Sequence, residues 1–99
     1  MTPVSVPLKR KIAAGYVIPL GPLNLVAVIT DVGMVGCGAF DVMALENFRY
    51  PAARVRPLRA PTISTVEDLL DGIVKDANPS AERFGIRAGI SGREALELL

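Results

Sequence analysis

The sequence predicts an α+β domain built from an antiparallel-rich mixed sheet and short helices. The first half of the chain contains apolar runs separated by turn-forming residues, a pattern typical of a strand meander. The second half contains capping boxes, which mark the starts of helices. The chain has 99 residues, a length that provides one hydrophobic core. We therefore expect a single domain over residues 1–99, with about four to five strands covered by three or four short helices.

The strands are predicted mainly in the first forty residues. Residues 9–20 and 23–30 are apolar and flank a turn rich in proline and glycine, which predicts a β-hairpin. Residues 34–40 follow a second turn, at residues 31–33, and predict a third short strand. The middle strands are too continuously apolar to face water, so we expect helices or another subunit to cover both of their faces.

The middle of the chain predicts one buried helix and one edge strand. Residues 41–48 form the expected helix, with Asp41 at its N-cap. This segment is apolar nearly all round, as in a helix that is buried on every side. Residues 49–61 are rich in arginine and proline, and Arg54 and Arg56 flank an apolar residue. This alternation predicts an edge strand whose cations face water.

Helix-start signals follow in the last third of the chain. The first is a capping box, whose helix presents an apolar face that reaches Ile73. The second places a proline in the first turn of a short helix that ends at Gly85. The third is another capping box, before the last helix. The three signals are Ser64 with Glu67, Asn78 with Pro79, and Ser91 with Glu94.

Three segments together resemble the YunC-like family of small uncharacterised proteins. In chain order they are Cys-Gly-Ala-Phe-Asp-Val at 37–42, Thr-x-x-x-Leu-Leu at 65–70, and Gly-Ile-x-x-Gly-x-Ser-Gly-Arg-Glu-Ala-Leu at 85–96. The sequence departs from the family pattern at Ile90, where a methionine is usual, and at residues 54–61, which lack an expected glycine. The resemblance covers residues 10–99 and implies a compact α+β fold and a domain of unknown function.

Charge and hydropathy argue against two classes of partner. The formal net charge is +1, so the overall electrostatic field gives no reason to expect nucleic acid as a partner. Residues 12–30 carry no charge, but glycines and prolines interrupt them, and we expect no membrane-spanning helix there. No small-residue cleavage site follows the cations at residues 9–11, so we expect no secretory signal either.

The cysteine count and the apolar content bear on location and assembly. Cys37 is the only cysteine, which excludes an internal disulfide and fits a reducing, cytoplasmic location. Apolar residues make up 51% of the chain, more than a domain of this size is expected to bury by itself. We therefore expect a homo-oligomer, most simply a two-fold dimer.

The sequence contains no histidine, which limits the available chemistry. This excludes Ser-His-Asp and Cys-His nucleophile arrangements and every imidazole-ligated metal site, and we expect neither a metal ion nor a cofactor. Polar residues of the family-like segments remain as candidate ligand-binding residues. Each also has a structural interpretation, as a buried small residue, a close strand contact, a helix cap or a solvated first-turn residue. The candidates are Cys37, Gly38, Asp41, Ser91, Arg93 and Glu94.

Three functional hypotheses stay open. The first is a protein that binds a small anionic ligand where Arg93 converges on Cys37 and Asp41. The second is a structural or interaction module that acts as a homo-oligomer. The third is a thiol- or carboxylate-based enzyme that works without histidine. The residues do not distinguish an enzyme from a binding protein.

Overall fold

A computed structural model describes residues 2–99, which form six strands and four short α-helices. The strands are β1 (Val4–Pro7), β2 (Ile12–Pro19), β3 (Asn24–Ile29), β4 (Met34–Gly36), β5 (Ala52–Arg56) and β6 (Ile73–Ala77). The helices are α1 (Val42–Leu45), α2 (Val66–Asp71), α3 (Pro79–Glu82) and α4 (Gly92–Glu97). A 3-10 turn, Glu46–Phe48, continues α1.

The strands lie in the sheet in the order in which they occur along the chain. Every neighbouring pair is antiparallel except β4 and β5, which are parallel. Tight turns join β1 to β2, β2 to β3 and β3 to β4; for example, the backbone N–H of Leu20 donates to the carbonyl of Leu23 at 2.8 Å. Residues 57–72, which include α2, connect the antiparallel strands β5 and β6. A parallel pair needs a longer crossover, and residues 37–51 supply it, including α1.

The main core lies on one side of the sheet, which we call the inner face. The strand residues Val26, Val28 and Val35 are fully buried there. The apolar sides of α2 and α4 cover this face, and the two helices also pack on each other. Alternation along the strands places their intervening residues on the opposite side. The helix residues in this core include Val66, Leu69, Leu70, Ala95 and Leu96.

The opposite side, the outer face, is covered only in part. Val42 of α1 packs against Ala27, Met34 and Ala52, so α1 lies over the middle of the sheet. Asn78 fixes this helix, since its side-chain amide donates to the carbonyl of Val42 at 2.9 Å.

The first helix differs from the sequence prediction, which was a helix buried on every side. Only Val42 is buried in α1, whereas Met43 is 57% exposed and Phe48, in the following 3-10 turn, is 80% exposed. The helix rests on the sheet on one side alone, through Val42 and the half-buried Leu45, and Met43 faces outward. The N-cap prediction is confirmed, because the Asp41 carboxylate accepts from the backbone N–H of Ala44 at 3.1 Å.

The arginine-rich segment is a strand, but the prediction of an edge strand is wrong. β5 lies between β4 and β6. Arg54 does not need water to satisfy its charge, because Asp76 on β6 lies directly opposite. Of the two cations along β5, Arg54 is therefore paired across the sheet, whereas Arg56 lies opposite Ile73 and is exposed.

Two further differences concern the first capping box and the strand count. The cap of α2 is Thr65 with Asp68, one residue later than predicted, and the Ser64 hydroxyl instead lies 2.9 Å from the Thr62 hydroxyl. The helix ends before Gly72, so Ile73 begins β6 and does not extend the helix. With β1 and β6, the sheet has one or two strands more than expected. Residues 2–99 form no helix with the length and hydropathy needed to cross a bilayer.

Candidate functional site

A cleft of about 420 Å³ opens at the end of β4. Cys37 and Gly38, which follow β4 directly, line it together with Asn24 at the start of β3. The loop between β5 and α2 forms the opposite wall, including Thr62 and Ser64. The side-chain amide of Asn24 donates to the carbonyl of Ser64 at 3.0 Å and ties this wall to the sheet. We call this space the cationic cleft, because its only charged lining residues are Arg56 and Lys75.

Lys75 reaches the cationic cleft because of a β-bulge. The register between β5 and β6 shifts between Arg54 and Val55, so Val55 pairs with Val74 and Arg54 with Asp76. Lys75 is the extra residue that has no partner in this ladder. Bulges bend a strand and redirect its side chains, and they are frequent beside binding sites.

The floor of the cleft is held by Arg54. Its Nη1 donates to the carbonyl oxygen of Gly38 at 3.1 Å. Its Nε and Nη2 donate to the two carboxylate oxygens of Asp76, at 2.7 and 2.9 Å. The hydrogen bonds from Arg54 lower the pKa of Asp76 below its ordinary value of 3.8, so this carboxylate stays ionised and its charge stays paired. The charge of Asp76 is thus neutralised by Arg54, and Asp76 does not line the cleft.

Two backbone amides in the floor are unengaged. Among the hydrogen bonds within residues 2–99, the N–H of Cys37 donates to the carbonyl of Val26 and that of Phe40 to the carbonyl of Cys37. The N–H groups of Gly38 and Ala39 make no such bond, and both residues are exposed. Backbone N–H groups of this kind are good donors to an anion.

Of the predicted site residues, the structure places Cys37 and Gly38 in the cationic cleft. Cys37 is 6% exposed and belongs to the inner-face core, so its side chain packs as a small apolar residue at the cleft floor. A Cβ added at Gly38 would meet nothing within 4 Å, so this glycine faces open space. Asp41 lies in the same loop but is engaged as the cap of α1.

The other three predicted residues lie on α4. Ser91 and Glu94 form a reciprocal capping box: the N–H of Glu94 donates to the Ser91 hydroxyl at 3.0 Å, and the N–H of Ser91 donates to Glu94 at 2.9 Å. These hydrogen bonds lower the pKa of Glu94. Arg93 is exposed and does not line the cationic cleft.

Arg93 lines a neighbouring cleft of about 600 Å³ between β1, β2 and α2. This second cleft also contains Glu67, so a carboxylate accompanies its cation. The two clefts share Asn24 and Ser64, and the hydrogen bond between them separates the two spaces. Arg93 and Cys37 therefore lie in adjacent clefts, not in one.

Three cations at or beneath the cleft were not selected from the sequence. In the sequence, Arg54 and Arg56 indicate only a strand with alternating cations. Lys75 lies in a segment for which the sequence pattern predicts no strand. The signal that relates them is the pairing of residues 52–56 with residues 73–77, and this pairing requires a strand at each segment.

Comparison with known proteins places these features in a family. The family model described as a domain of unknown function, DUF1805, matches residues 36–99, which is more than half of the chain. The chain belongs to the DUF1805 family. The DUF1805 match includes the loop after β4, the strands β5 and β6, and the capping box of α4.

Two individual proteins are similar to this DUF1805 chain. The uncharacterised protein YunC of Bacillus subtilis (strain 168) is 39% identical over 79 residues, which are 80% of this chain and 77% of that protein. This confirms the resemblance to YunC-like proteins. The crystal structure of TA1206, a protein of unknown function from Thermoplasma acidophilum, has a TM-score of 0.83. It covers 97% of this chain and 89% of its own at 22% identity, which shows that the α+β fold is shared.

The start of α4, near the C-terminal end of the DUF1805 match, contains residues with clear structural roles. A Cβ at Gly92 would lie 2.1 Å from the carbonyl oxygen of Leu69, so α4 approaches α2 more closely there than any other residue would allow. With Ser91 and Glu94 capping α4, this part of the DUF1805 segment fixes the packing of two helices. The matching family model is described as a domain of unknown function and assigns no activity to the cleft.

Proposed function

We propose that this protein binds a small anionic ligand in the cationic cleft. The observation that carries the proposal is the charge of the lining, which contains Arg56 and Lys75 and no carboxylate. Four other clefts formed by residues 2–99 each include at least one acidic side chain. A site whose lining carries cations and no carboxylate attracts anions.

Neutral donors in the cleft support the same ligand class. Thr62 and Ser64 line the wall, and because their hydroxyls are hydrogen-bonded to each other at 2.9 Å, one of the two O–H groups stays available to a ligand. The unengaged N–H groups of Gly38 and Ala39 lie in the floor. A phosphate or carboxylate needs several donors that converge from different directions. The cleft volume of about 420 Å³ falls within the range of small-molecule sites.

Inorganic phosphate is the first probe. We expect a ¹H–¹⁵N NMR titration with phosphate to shift the amide signals of Gly38, Ala39, Ser64 and Lys75. Substitution Lys75→Met should weaken phosphate binding about tenfold, because a charge-assisted hydrogen bond is lost. Arg56→Met should have a similar effect.

Arg93→Met is the matched control for these substitutions. It removes an exposed cation from the adjacent cleft and should leave phosphate affinity unchanged. If Arg93→Met weakens binding as much as Lys75→Met does, the ligand lies across both clefts, and the assignment to the cationic cleft is wrong. If phosphate and a panel of small carboxylates shift no amide of the cleft, the proposal itself is wrong.

Native mass spectrometry of gently purified protein tests the class of ligand independently. We expect an added mass that disappears in the double variant Arg56→Met/Lys75→Met. Cys37→Ser should retain the added mass, because the buried thiol is a packing residue in this proposal. Loss of the ligand in Cys37→Ser at unchanged stability would favour the thiol-based alternative.

A further inference from the structure

The outer face of β2 and β3 exposes apolar side chains that the proposed function does not explain. Residues 12–30, which include both strands, contain no charged residue. One face of an antiparallel sheet that contacts water normally carries polar side chains. Here Ile12 is 70% exposed and Ile29 is 37% exposed, since the cluster around Val42 of α1 reaches Ala27 on β3 but includes neither isoleucine.

The strand register shows that these side chains form one patch. Tyr16 pairs with Ala27, which packs on the outer face, and Ala14 pairs with Ile29. Alternation therefore places Ile12, Ala14, Tyr16 and Ile18 on the same outer face. We call this set, with Ile29, the outer patch. It borders a recess of about 240 Å³ that is lined by Ile12, Ala14 and Ile29 and also by the polar residues Ser5, Thr30 and Asp31.

A second apolar projection lies beside the outer patch. Met43 is 57% exposed and Phe48 is 80% exposed, and both extend from the layer of α1. Together with Ile12 and Ile29 they present on the order of 400 Å², since an exposed large apolar side chain contributes roughly 150–200 Å². That is about half of the roughly 800 Å² per partner in a standard interface, before any surrounding residue is counted.

We infer that a second copy of this chain covers the outer patch by placing its Phe48 in the recess. Phe48 and the recess lie at the same end of the sheet. Ile29 of the recess pairs with Met34, and Met34 pairs with Ala52, which follows Phe48 closely in the chain. We place a two-fold axis above the outer face, parallel to the strands and between β3 and β4. Rotation about this axis places Phe48 of each copy over the recess of the other copy. The two α1 helices form a shared layer between the sheets.

Size and charge agree with this arrangement. A cavity of about 150 Å³ is enough to hold a benzene ring, so the recess of about 240 Å³ accommodates a phenyl group. The recess is bordered by Asp31, which accepts a hydrogen bond from Nζ of Lys11 at 2.6 Å and whose side chain is still 78% exposed. Arg49 follows Phe48 directly, so the arrangement brings an arginine of one copy towards an aspartate of the other.

The experiment measures the mass of the native protein by light scattering and native mass spectrometry at micromolar concentration. We expect the unmodified chain to have at least twice the subunit mass of 10.5 kDa. Phe48→Glu should raise the dissociation constant at least about 30-fold, the effect of losing an interface anchor. Ile12→Glu should do the same from the recess side. Both positions are exposed in the subunit, so circular dichroism should show unchanged folding.

Phe84→Glu is the matched control, because Phe84 is 44% exposed and lies outside the outer patch. It should leave the mass unchanged. Isotope-filtered NOEs in a mixed sample should connect the Phe48 ring of one copy to the Ile12 or Ile29 methyls of the other. A monomeric native chain, an assembly that persists in both Phe48→Glu and Ile12→Glu, or equal dissociation by Phe84→Glu would each overturn the inference.

Discussion

Arg54 and Asp76 connect the loop of the cationic cleft, which follows β4, to the strand β6. The guanidinium contacts the carboxylate of Asp76 at 2.7 and 2.9 Å and the carbonyl oxygen of Gly38 at 3.1 Å. One side chain on β5 thus connects β6 to the segment after β4. The side-chain hydrogen bonds with Asp76 also raise the pKa of Arg54, so its charge is permanent. The shape of the cleft floor therefore depends on a residue that lies beneath it.

Arg54→Met should loosen the floor and expose Cys37. The thiol is 6% exposed, so its reaction with a disulfide reagent such as DTNB requires the loop to open. Loss of the hydrogen bond to Gly38 should raise the reaction rate about tenfold. Arg87→Met, which removes an exposed arginine elsewhere, is the control and should react at the native rate. Equal rates in all three proteins would show that Arg54 does not hold the loop.

Asn78 should be among the most sensitive polar residues for stability. It is fully buried, and its side chain makes four hydrogen bonds, to Val42, Tyr50, Ala52 and Ala81, at 2.8–3.2 Å. Asn78→Ala removes the α3 cap and leaves buried backbone groups unpaired, so we expect it to lower the free energy of unfolding by about 3 kcal/mol. Urea denaturation measures this change. Asn47→Ala, at an exposed position, should stay within about 0.5 kcal/mol of the native protein.

Local signals were sufficient to predict most of the helix starts and the first strands. Asp41, Asn78 and Ser91 act as N-caps, and Gly85 has a φ of +92°, as expected at the end of a helix. Each of these features depends on a few adjacent residues, which the sequence displays directly.

The arrangement of β5 and β6 could not be predicted in this way. Arg54 looked solvent-exposed because its partner, Asp76, lies 22 residues further along the chain. Ile73 continued the helical spacing of α2, and only the break at Gly72 ends that helix. The bulge that turns Lys75 into the cleft exists only once both strands are paired. Sequence reasoning therefore found the thiol and glycine of the cleft but missed its cations.

Gly92→Ala should separate α4 from α2, whereas Gly38→Ala should be tolerated. At Gly92 the added methyl group would lie 2.1 Å from the Leu69 carbonyl oxygen, so the helices must shift, at a cost of about 1–3 kcal/mol. At Gly38 the methyl group meets open space, and the change should stay within about 1 kcal/mol. Chemical denaturation of both variants measures the difference. Equal stabilities would mean that α4 adjusts without cost and that Gly92 has another role.

Stability should fall in acid and stay nearly constant around neutral pH. The pKa values of Glu46, Asp31, Asp76 and Glu94 are all lowered; for Glu46 the largest cause is the backbone N–H of Ser80, 2.8 Å from its carboxylate. A carboxyl group whose folded pKa is lowered contributes stability above its unfolded pKa and loses it as pH falls through the folded pKa.

The melting temperature should therefore decrease below about pH 4, where unfolded carboxyl groups bind protons. Between about pH 5.5 and 7.5 it should change little, because the chain has no histidine. Glu46→Gln should lower the melting temperature at pH 7 and make the acid decrease shallower, since one titrating contact is gone. Glu82→Gln is the comparison, because Glu82 is exposed and its side chain makes no hydrogen bond within residues 2–99. Thermal melts followed by circular dichroism from pH 3 to 8 would contradict this account if Glu46→Gln and the native protein lost the same stability on acidification.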